Sequence, residues 1–169
     1  SEHIPFNFFE PLNAYLGTTS LAAFLSEITG KPITTISNIG IEQPRAKAEN
    51  PLNDNTTFDA LLEGATRSAP VMIGVEVKFT EGPYGWGRTE RERMHDDSDL
   101  YVCLTKKFHA FPDGAHELYR NRHLKQVWRN FLLGLALAEE RSCSFVYVHL
   151  FPAGNEYQKA VCENFSSTL

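Results

Sequence analysis

Two carboxylates and a lysine are the residues of this sequence whose types and spacing could do chemistry together. Glu76 and Lys78 are two residues apart in a predicted strand, so their side chains lie on the same face. Asp59 lies in the strand predicted before it. If the two strands form a hairpin in which Glu63 faces Met72, Asp59 lies directly opposite Glu76, with about 5 Å between their Cβ atoms. The three side chains then converge on one patch of a sheet.

Such a patch is suited to metal-dependent hydrolysis. Two adjacent carboxylates repel each other unless a cation or a proton joins them, and oxygen ligands at this spacing suit Mg²⁺ or Mn²⁺. A lysine beside the metal can orient or deprotonate a water molecule and stabilise a developing phosphate charge. The pattern predicts a phosphodiester hydrolysis site. A solvent-facing salt bridge between strand neighbours is the structural alternative.

The elements that position these residues follow the order helix, three strands, helix, strand, helix. Apolar spacing and turn residues predict a helix from about residue 18 to 30, strands at 33–41, 56–63 and 71–79, a helix at 117–140, a strand at 145–151 and a last helix from about 156. Three successive strands indicate an antiparallel meander, and the helical crossover makes the third and fourth strands parallel. We therefore expect an α/β fold with a mixed sheet of four to five strands and helices on both faces.

The stretch FDALLEGATRSAPVMIGVEVKF resembles the core of the PD-(D/E)XK nuclease superfamily. Asp59 matches the first acidic residue of that family, and Glu76, Val77 and Lys78 match its (D/E)-X-K tripeptide. The resemblance implies a restriction-endonuclease-like αβββαβ core and a divalent metal, Mg²⁺ or Mn²⁺, held by the two acids and the Val77 carbonyl. It implies that Lys78 acts on the attacking water. Phe58 departs from the family pattern, since it stands where the motif has proline.

The resemblance, which covers roughly residues 18–151, also implies supporting residues on the two helices. Many members carry a carboxylate on the first helix, for which Glu27 is the candidate and Glu10 a weaker alternative. Several branches place a glutamine or arginine on the helix after the hairpin. Gln126 and Arg129 resemble that pattern, and we expect both to project towards the acids and Arg129 to lower the pKa of both. Ordinary solvated helix faces are the alternative for all of these positions.

Composition limits the range of functions and partners. The chain has 169 residues and a formal net charge of −5, which argues against coating nucleic acid by bulk charge. Residues 86–129 are mildly basic, with 9 Lys/Arg against 7 Asp/Glu, and could supply a nucleic-acid surface. DNA is the favoured partner over RNA, and a homodimer is left open. We expect one domain over residues 1–169 with a long irregular insertion at about 80–116.

The compartment is predicted from what the sequence does not contain. The three cysteines form no CxxC pair, the apolar runs are too short to cross a bilayer, and the first residues, SEHIPFNFF, do not resemble a secretion signal. These features predict a cytoplasmic protein without a membrane partner.

Weaker readings compete with the hydrolytic site. A metal site could be formed by His95, His116 and His123 with nearby aspartates, although their spacing matches no known ligand pattern. Cys103 and His109 could be imagined as a nucleophile and its base. The segment GRTERERM could follow phosphates, but its alternating charges favour a solvated face. The whole fold could also serve as a catalytically inactive binding or assembly module.

Overall fold

The protein is described by a computed structural model that covers residues 4–79, 87–94, 96, 98–114, 116, 120 and 123–169. In these residues a mixed sheet is flanked by helices. The helices are α1 (Ile4–Phe9), α2 (Thr19–Thr29), α3 (Arg88–Met94), α4 (Leu100–Lys107), α5 (Lys125–Arg141) and α6 (Glu156–Ser166), with 3₁₀ turns at Glu10–Tyr15 and Lys47–Glu49. The strands are β1 (Ile33–Ile41), β2 (Ala60–Thr66), β3 (Pro70–Val77) and β4 (Ser144–Leu150).

The sheet has the predicted topology. Its four described strands lie in the order β1-β2-β3-β4. Strands β1, β2 and β3 pair antiparallel, and β4 pairs parallel to β3 after the helical crossover. The β2–β3 register puts Glu63 opposite Met72 and Ala60 opposite Val75, as predicted. One step further along the same register brings Asp59 to the level of Glu76.

The two faces of the sheet carry separate apolar cores. Strand β3 contributes Ile73, Val75 and Val77 to the core shared with α2. It contributes Met72 to the other core, which contains α4, α5 and α6. Because side chains alternate along a strand, Glu76 faces the α5 side. The sheet therefore places the acid against the helix that carries Gln126.

Helices α2 and α5 each depend on local features of the sequence. The Thr18 hydroxyl caps the N-terminus of α2 by accepting a hydrogen bond from the Leu21 amide, and Gly30 ends the helix at a φ of 65°. On α5, Gly134 allows a close approach to the sheet, because a Cβ added there would overlap the ring of Phe145.

The predicted second strand was wrong at its start. We expected pairing from about residue 56, but β2 begins at Ala60. The Thr56 amide instead donates to Asp54 Oδ1 at 2.7 Å, and the Thr56 carbonyl accepts from Asn50 Nδ2 at 2.8 Å. Because the side chains of Asp54 and Asn50 bind the amide and carbonyl of Thr56, these backbone groups do not pair with β3. The chain therefore turns before Asp59.

The predicted irregular insertion at 80–116 was also wrong in its described part, which contains α3 and α4. Asp99 caps α4 by accepting from the Tyr101 amide, and it also pairs with Arg93 of α3 at 2.9 Å. The two helices are thus joined by one side chain. We predicted the next helix from residue 117, and its described part, α5, begins at Lys125. Most of residues 117–122 lie outside the described residues. No described helix is long and apolar enough to cross a membrane.

Candidate active site

Asp59 is anchored between two strands. Its backbone carbonyl accepts from the Glu42 amide just after β1, at 3.0 Å. Its carboxylate oxygen Oδ2 accepts from the Val77 amide at 2.6 Å. That N–H belongs to the peptide that joins Glu76 to Val77, so the Asp59 carboxylate lies beside the backbone of Glu76.

Glu76 is a buried carboxylate with hydrogen-bond partners on both oxygens. Oε1 lies 2.6 Å from the Lys78 ammonium and accepts from Gln126 Nε2 at 2.7 Å. Oε2 accepts from Asn130 Nδ2 at 2.8 Å. The residue is only 4% exposed. A charge at this depth is tolerated only when it is paired and hydrogen-bonded, and here one ammonium and two amides do so.

The pKa of Glu76 is raised from its ordinary value to about 7. Burial is the largest cause, because it penalises the charged form. The positive charge of Lys78 opposes this effect, and the negative charge of Asp59 adds to it. The interaction between Asp59 and Glu76 shows that the two carboxyl groups are electrostatic neighbours. The site therefore holds a carboxyl group that changes its charge near neutral pH.

Lys78 follows the last residue of β3 and continues the pairing with β4, since its amide donates to the Leu150 carbonyl at 2.8 Å. The residue is 7% exposed. Its ammonium also acts on His149 of β4, whose pKa falls to about 4, mainly through burial. His149 is consequently a neutral hydrogen-bonding group at physiological pH, bound to Gln158 at 2.9 Å.

Of the two α5 residues predicted for the site, the structure brings Gln126 to Glu76 and Arg129 to a neighbouring group. Arg129 Nη2 donates to Thr56 Oγ1 at 2.7 Å and to Asp54 Oδ2 at 3.2 Å. Burial opposes ionisation of Asp54, but the hydrogen bond from Tyr101 and the charge of Arg129 outweigh it and lower the pKa of Asp54. Arg129 thus contacts Asp54, in the loop that leads to Asp59.

Phe58 is fixed by a glycine on the facing strand. A Cβ added at Gly74 would lie 2.6 Å from the Phe58 ring, so the ring occupies the space above that glycine. Steric fit against Gly74 therefore fixes the position of Phe58, which precedes Asp59 in the chain. This contact is found where the family motif has proline.

The other sequence candidates lie on several different elements. Glu27 is exposed on α2, which packs on the opposite face of the sheet, so the structure does not bring it to Glu76. Cys103 is exposed and donates to the Ser98 carbonyl. The His123 ring is bonded to the Tyr157 hydroxyl, and His95 lies outside the described residues. No described group of three His, Cys, Asp or Glu could hold a metal ion.

Sequence reasoning missed three polar residues behind Glu76. Asn130 is buried and donates to Glu76. The Tyr147 hydroxyl lies 3.1 Å from His149 Nδ1. A signal for Asn130 was present, because it follows Gln126 by four residues and so lies on the same face of α5. The alternation in β4 likewise puts Tyr147 and His149 on one face, opposite Glu76 in the parallel register.

The mixed four-stranded sheet, its crossover helix and the Asp–Glu–Lys patch define an α/β protein of the restriction-endonuclease-like fold. A family model of the PD-(D/E)XK nuclease superfamily matches residues 1–169. The chain therefore belongs to the PD-(D/E)XK nuclease superfamily. Neither the curated proteins nor the solved structures contain a match.

Proposed function

We propose that the protein hydrolyses phosphodiester bonds of nucleic acid with a divalent metal ion. The observation that carries this proposal is the convergence of Asp59, Glu76 and Lys78. Asp59 adds to the cost of ionising Glu76, and the Lys78 ammonium lies 2.6 Å from Glu76 near the end of strand β3. Such an arrangement is costly for folding alone, which is typical of a functional site.

The donor set fits a hard cation. The Asp59 and Glu76 carboxylates and the Val77 carbonyl would hold Mg²⁺ or Mn²⁺, both of which prefer oxygen ligands. Water and phosphate oxygens would supply the remaining ligands, because Mg²⁺ usually keeps several waters beside one or two carboxylates. A metal bound there would neutralise the two acids and polarise the phosphate.

Each protein group has a distinct task in this proposal. The Val77 amide orients Asp59, and Gln126 and Asn130 orient Glu76. Lys78 positions the attacking water or takes a proton from it, and its charge favours the developing negative charge on phosphate. DNA is the preferred substrate in this proposal, with RNA included in the test below.

A second candidate is a nuclease-fold binding or assembly module without turnover. The observation in its favour is that Lys78, Gln126 and Asn130 already bond both oxygens of Glu76. Such a saturated carboxylate could be a structural polar cluster. Metal binding separates the two candidates, since a purely structural cluster binds neither Mg²⁺ nor Mn²⁺.

The decisive experiment is a cleavage assay of wild type and Lys78→Ala with Mg²⁺ or Mn²⁺. Substrates are supercoiled plasmid, linear duplex, single strands and RNA, with a chelator as the blank. We expect Lys78→Ala to lose activity on the order of 10²- to 10⁴-fold, as for other positioned acid–base or electrostatic groups. Ca²⁺ should bind without comparable turnover, because its looser geometry positions water poorly.

The matched control is Lys31→Ala, which removes an exposed lysine from the turn between α2 and β1. It should cleave at the wild-type rate. Circular dichroism of both variants checks that they fold. Wild-type cleavage rates in Lys78→Ala would point to a contaminant or another site. No cleavage of any substrate, together with no metal binding, would favour the non-catalytic module.

A further inference from the structure

A polar pocket that is not used in the proposed cleavage is lined in part by α5, the helix whose Gln126 and Asn130 bind Glu76. It has a volume of about 310 Å³, and three of its lining residues are Asp54, Arg93 and Arg129. Arg129 stands on α5 between Gln126 and Asn130, the two residues that bind Glu76. One residue that lines the pocket is therefore within one helical turn of both α5 residues that bind Glu76.

The floor of this pocket carries two fixed guanidinium groups. Arg93 donates to Asp99 Oδ2 and to the Leu52 carbonyl, each at 2.9 Å. Arg129 is held by Asp54 and Thr56. The Tyr101 ring lies beneath them, 4.5 Å from the Arg93 guanidinium. Because neighbouring groups already order both cations, a ligand would not have to immobilise them on binding.

The rim of the pocket offers polar groups that the protein leaves unused. Lys47, Asn55 and Thr89 line it and are exposed. Within the described part of the chain, no hydrogen bond or ion pair engages the side chain of Lys47, Asn55 or Thr89. An ammonium, an amide and a hydroxyl are all donors to phosphate oxygens. Together with the two guanidinium groups they line the pocket.

The charges of the pocket leave one positive charge uncompensated. Lys47, Arg93 and Arg129 contribute three positive charges, and the two carboxylates that hold the arginines, Asp54 and Asp99, contribute two negative charges. A bound phosphodiester carries a single negative charge, which matches this excess. The lining is polar and charged apart from the Tyr101 ring, so an apolar ligand is not suited to it.

We propose that this pocket binds a phosphate group of the nucleic-acid strand next to the phosphate that is cleaved, with Lys47 and Thr89 as direct contacts. This inference rests on the proposed nuclease function, whose site the pocket adjoins. The charge excess favours an internal phosphodiester. A terminal phosphate has the same chemistry, and the experiment below distinguishes it from an internal phosphodiester.

The test is fluorescence anisotropy of a labelled single-stranded DNA oligonucleotide in chelator, without divalent metal. Wild type is compared with Lys47→Gln and with Lys31→Gln, which removes the same charge from an exposed site elsewhere. We expect Lys47→Gln to reduce the slope of log affinity against log salt by about 0.7 to 1, as for the loss of one phosphate contact. Lys31→Gln should keep the wild-type slope.

Oligonucleotides with and without a terminal phosphate identify the source of the bound group. An equal loss for both shows an internal phosphate, and a loss confined to the phosphorylated strand shows a terminal one. Equal slopes for Lys47→Gln and Lys31→Gln, or no wild-type binding at low salt, would overturn the proposal. Because binding is measured without metal, a Lys47-dependent slope together with no cleavage would reject the nuclease function and keep the phosphate pocket.

Discussion

Protonation of Glu76 should compete with metal binding. Its pKa of about 7 means that the carboxylate is about nine-tenths ionised at pH 8 and about one-tenth ionised at pH 6. Only the ionised form is a ligand. We therefore expect the apparent affinity for Mg²⁺ or Mn²⁺ to fall about tenfold from pH 8 to pH 6, which corresponds to about 1.4 kcal/mol.

The assay is isothermal titration calorimetry with Mn²⁺ at pH 6 and pH 8, in two buffers that differ in ionisation heat. Binding should release about 0.9 proton at pH 6 and about 0.1 at pH 8, so the observed heat depends on the buffer mainly at pH 6. His149 should not contribute, because its pKa of about 4 keeps it neutral at both values.

The control is Glu27→Gln, which removes an exposed carboxylate on the opposite face and should leave the affinity and its pH dependence unchanged. Equal affinities at pH 6 and pH 8, without a buffer-dependent heat, would refute the reasoning about Glu76. A weakened affinity in Glu27→Gln would instead return Glu27 to the metal ligands.

The raised pKa of Glu76 also predicts how the free energy of unfolding in the absence of metal depends on pH. The folded-state pKa of Glu76 is raised, so the folded protein holds this proton more tightly than the unfolded chain does. The contribution of Glu76 to the free energy of unfolding is fully present below its unfolded-state pKa of about 4.5. It is lost as pH rises through the folded-state pKa of about 7. Urea unfolding with chelator should show a loss of up to about 3 kcal/mol over this interval, which added Mn²⁺ offsets at pH 8. A loss that persists unchanged in Glu76→Gln would have another origin.

Three further substitutions have defined outcomes. Asn130→Ala removes a hydrogen bond that lowers the pKa of Glu76, so the acid limb of the pH–rate profile should move to higher pH; an unmoved limb contradicts this role. Gly134→Ala overlaps the Phe145 ring and should cost about 1–3 kcal/mol, seen as a lower Tm; a wild-type Tm would show that the helix can shift. Thr18→Ala removes the α2 cap and should cost about 1 kcal/mol in urea unfolding, whereas Thr18→Ser should recover most of it.

The regular elements could be predicted because their signals are local. The bounds of β1 match the predicted range, and the Thr18 cap and Gly30 stop fix α2. The hairpin register followed from the alternation of side chains, and it extends to the Ala60–Val75 pair that adjoins Asp59 and Glu76. These features depend on residues that are near in sequence or on a two-residue period.

The rest of the site depends on contacts that spacing does not encode. Arg129 binds Asp54 because side-chain hydrogen bonds direct the loop before Asp59 past α5, and nothing in the helix pattern specifies the path of that loop. Arg93 looked like part of a solvated charged segment, yet Asp99 and backbone carbonyls hold it in place. Sequence patterns show which residues share a face but not which loop will meet that face.

Because the Phe58 ring packs over Gly74, the sizes of the residues at positions 58 and 74 are coupled. A larger residue at 74 would push the ring, and with it the start of β2, away from the acid on the facing strand. We expect that only a smaller residue at 58 would make such a change tolerable, so the pair should vary together among relatives. We expect a proline at 58 to leave room for a side chain at 74, because it lacks the aromatic ring that covers Gly74. In a new sequence, the size of the residue at 74 would then indicate how the first acid is held in place. A glycine would indicate an aromatic ring at 58, and a larger residue would indicate a proline.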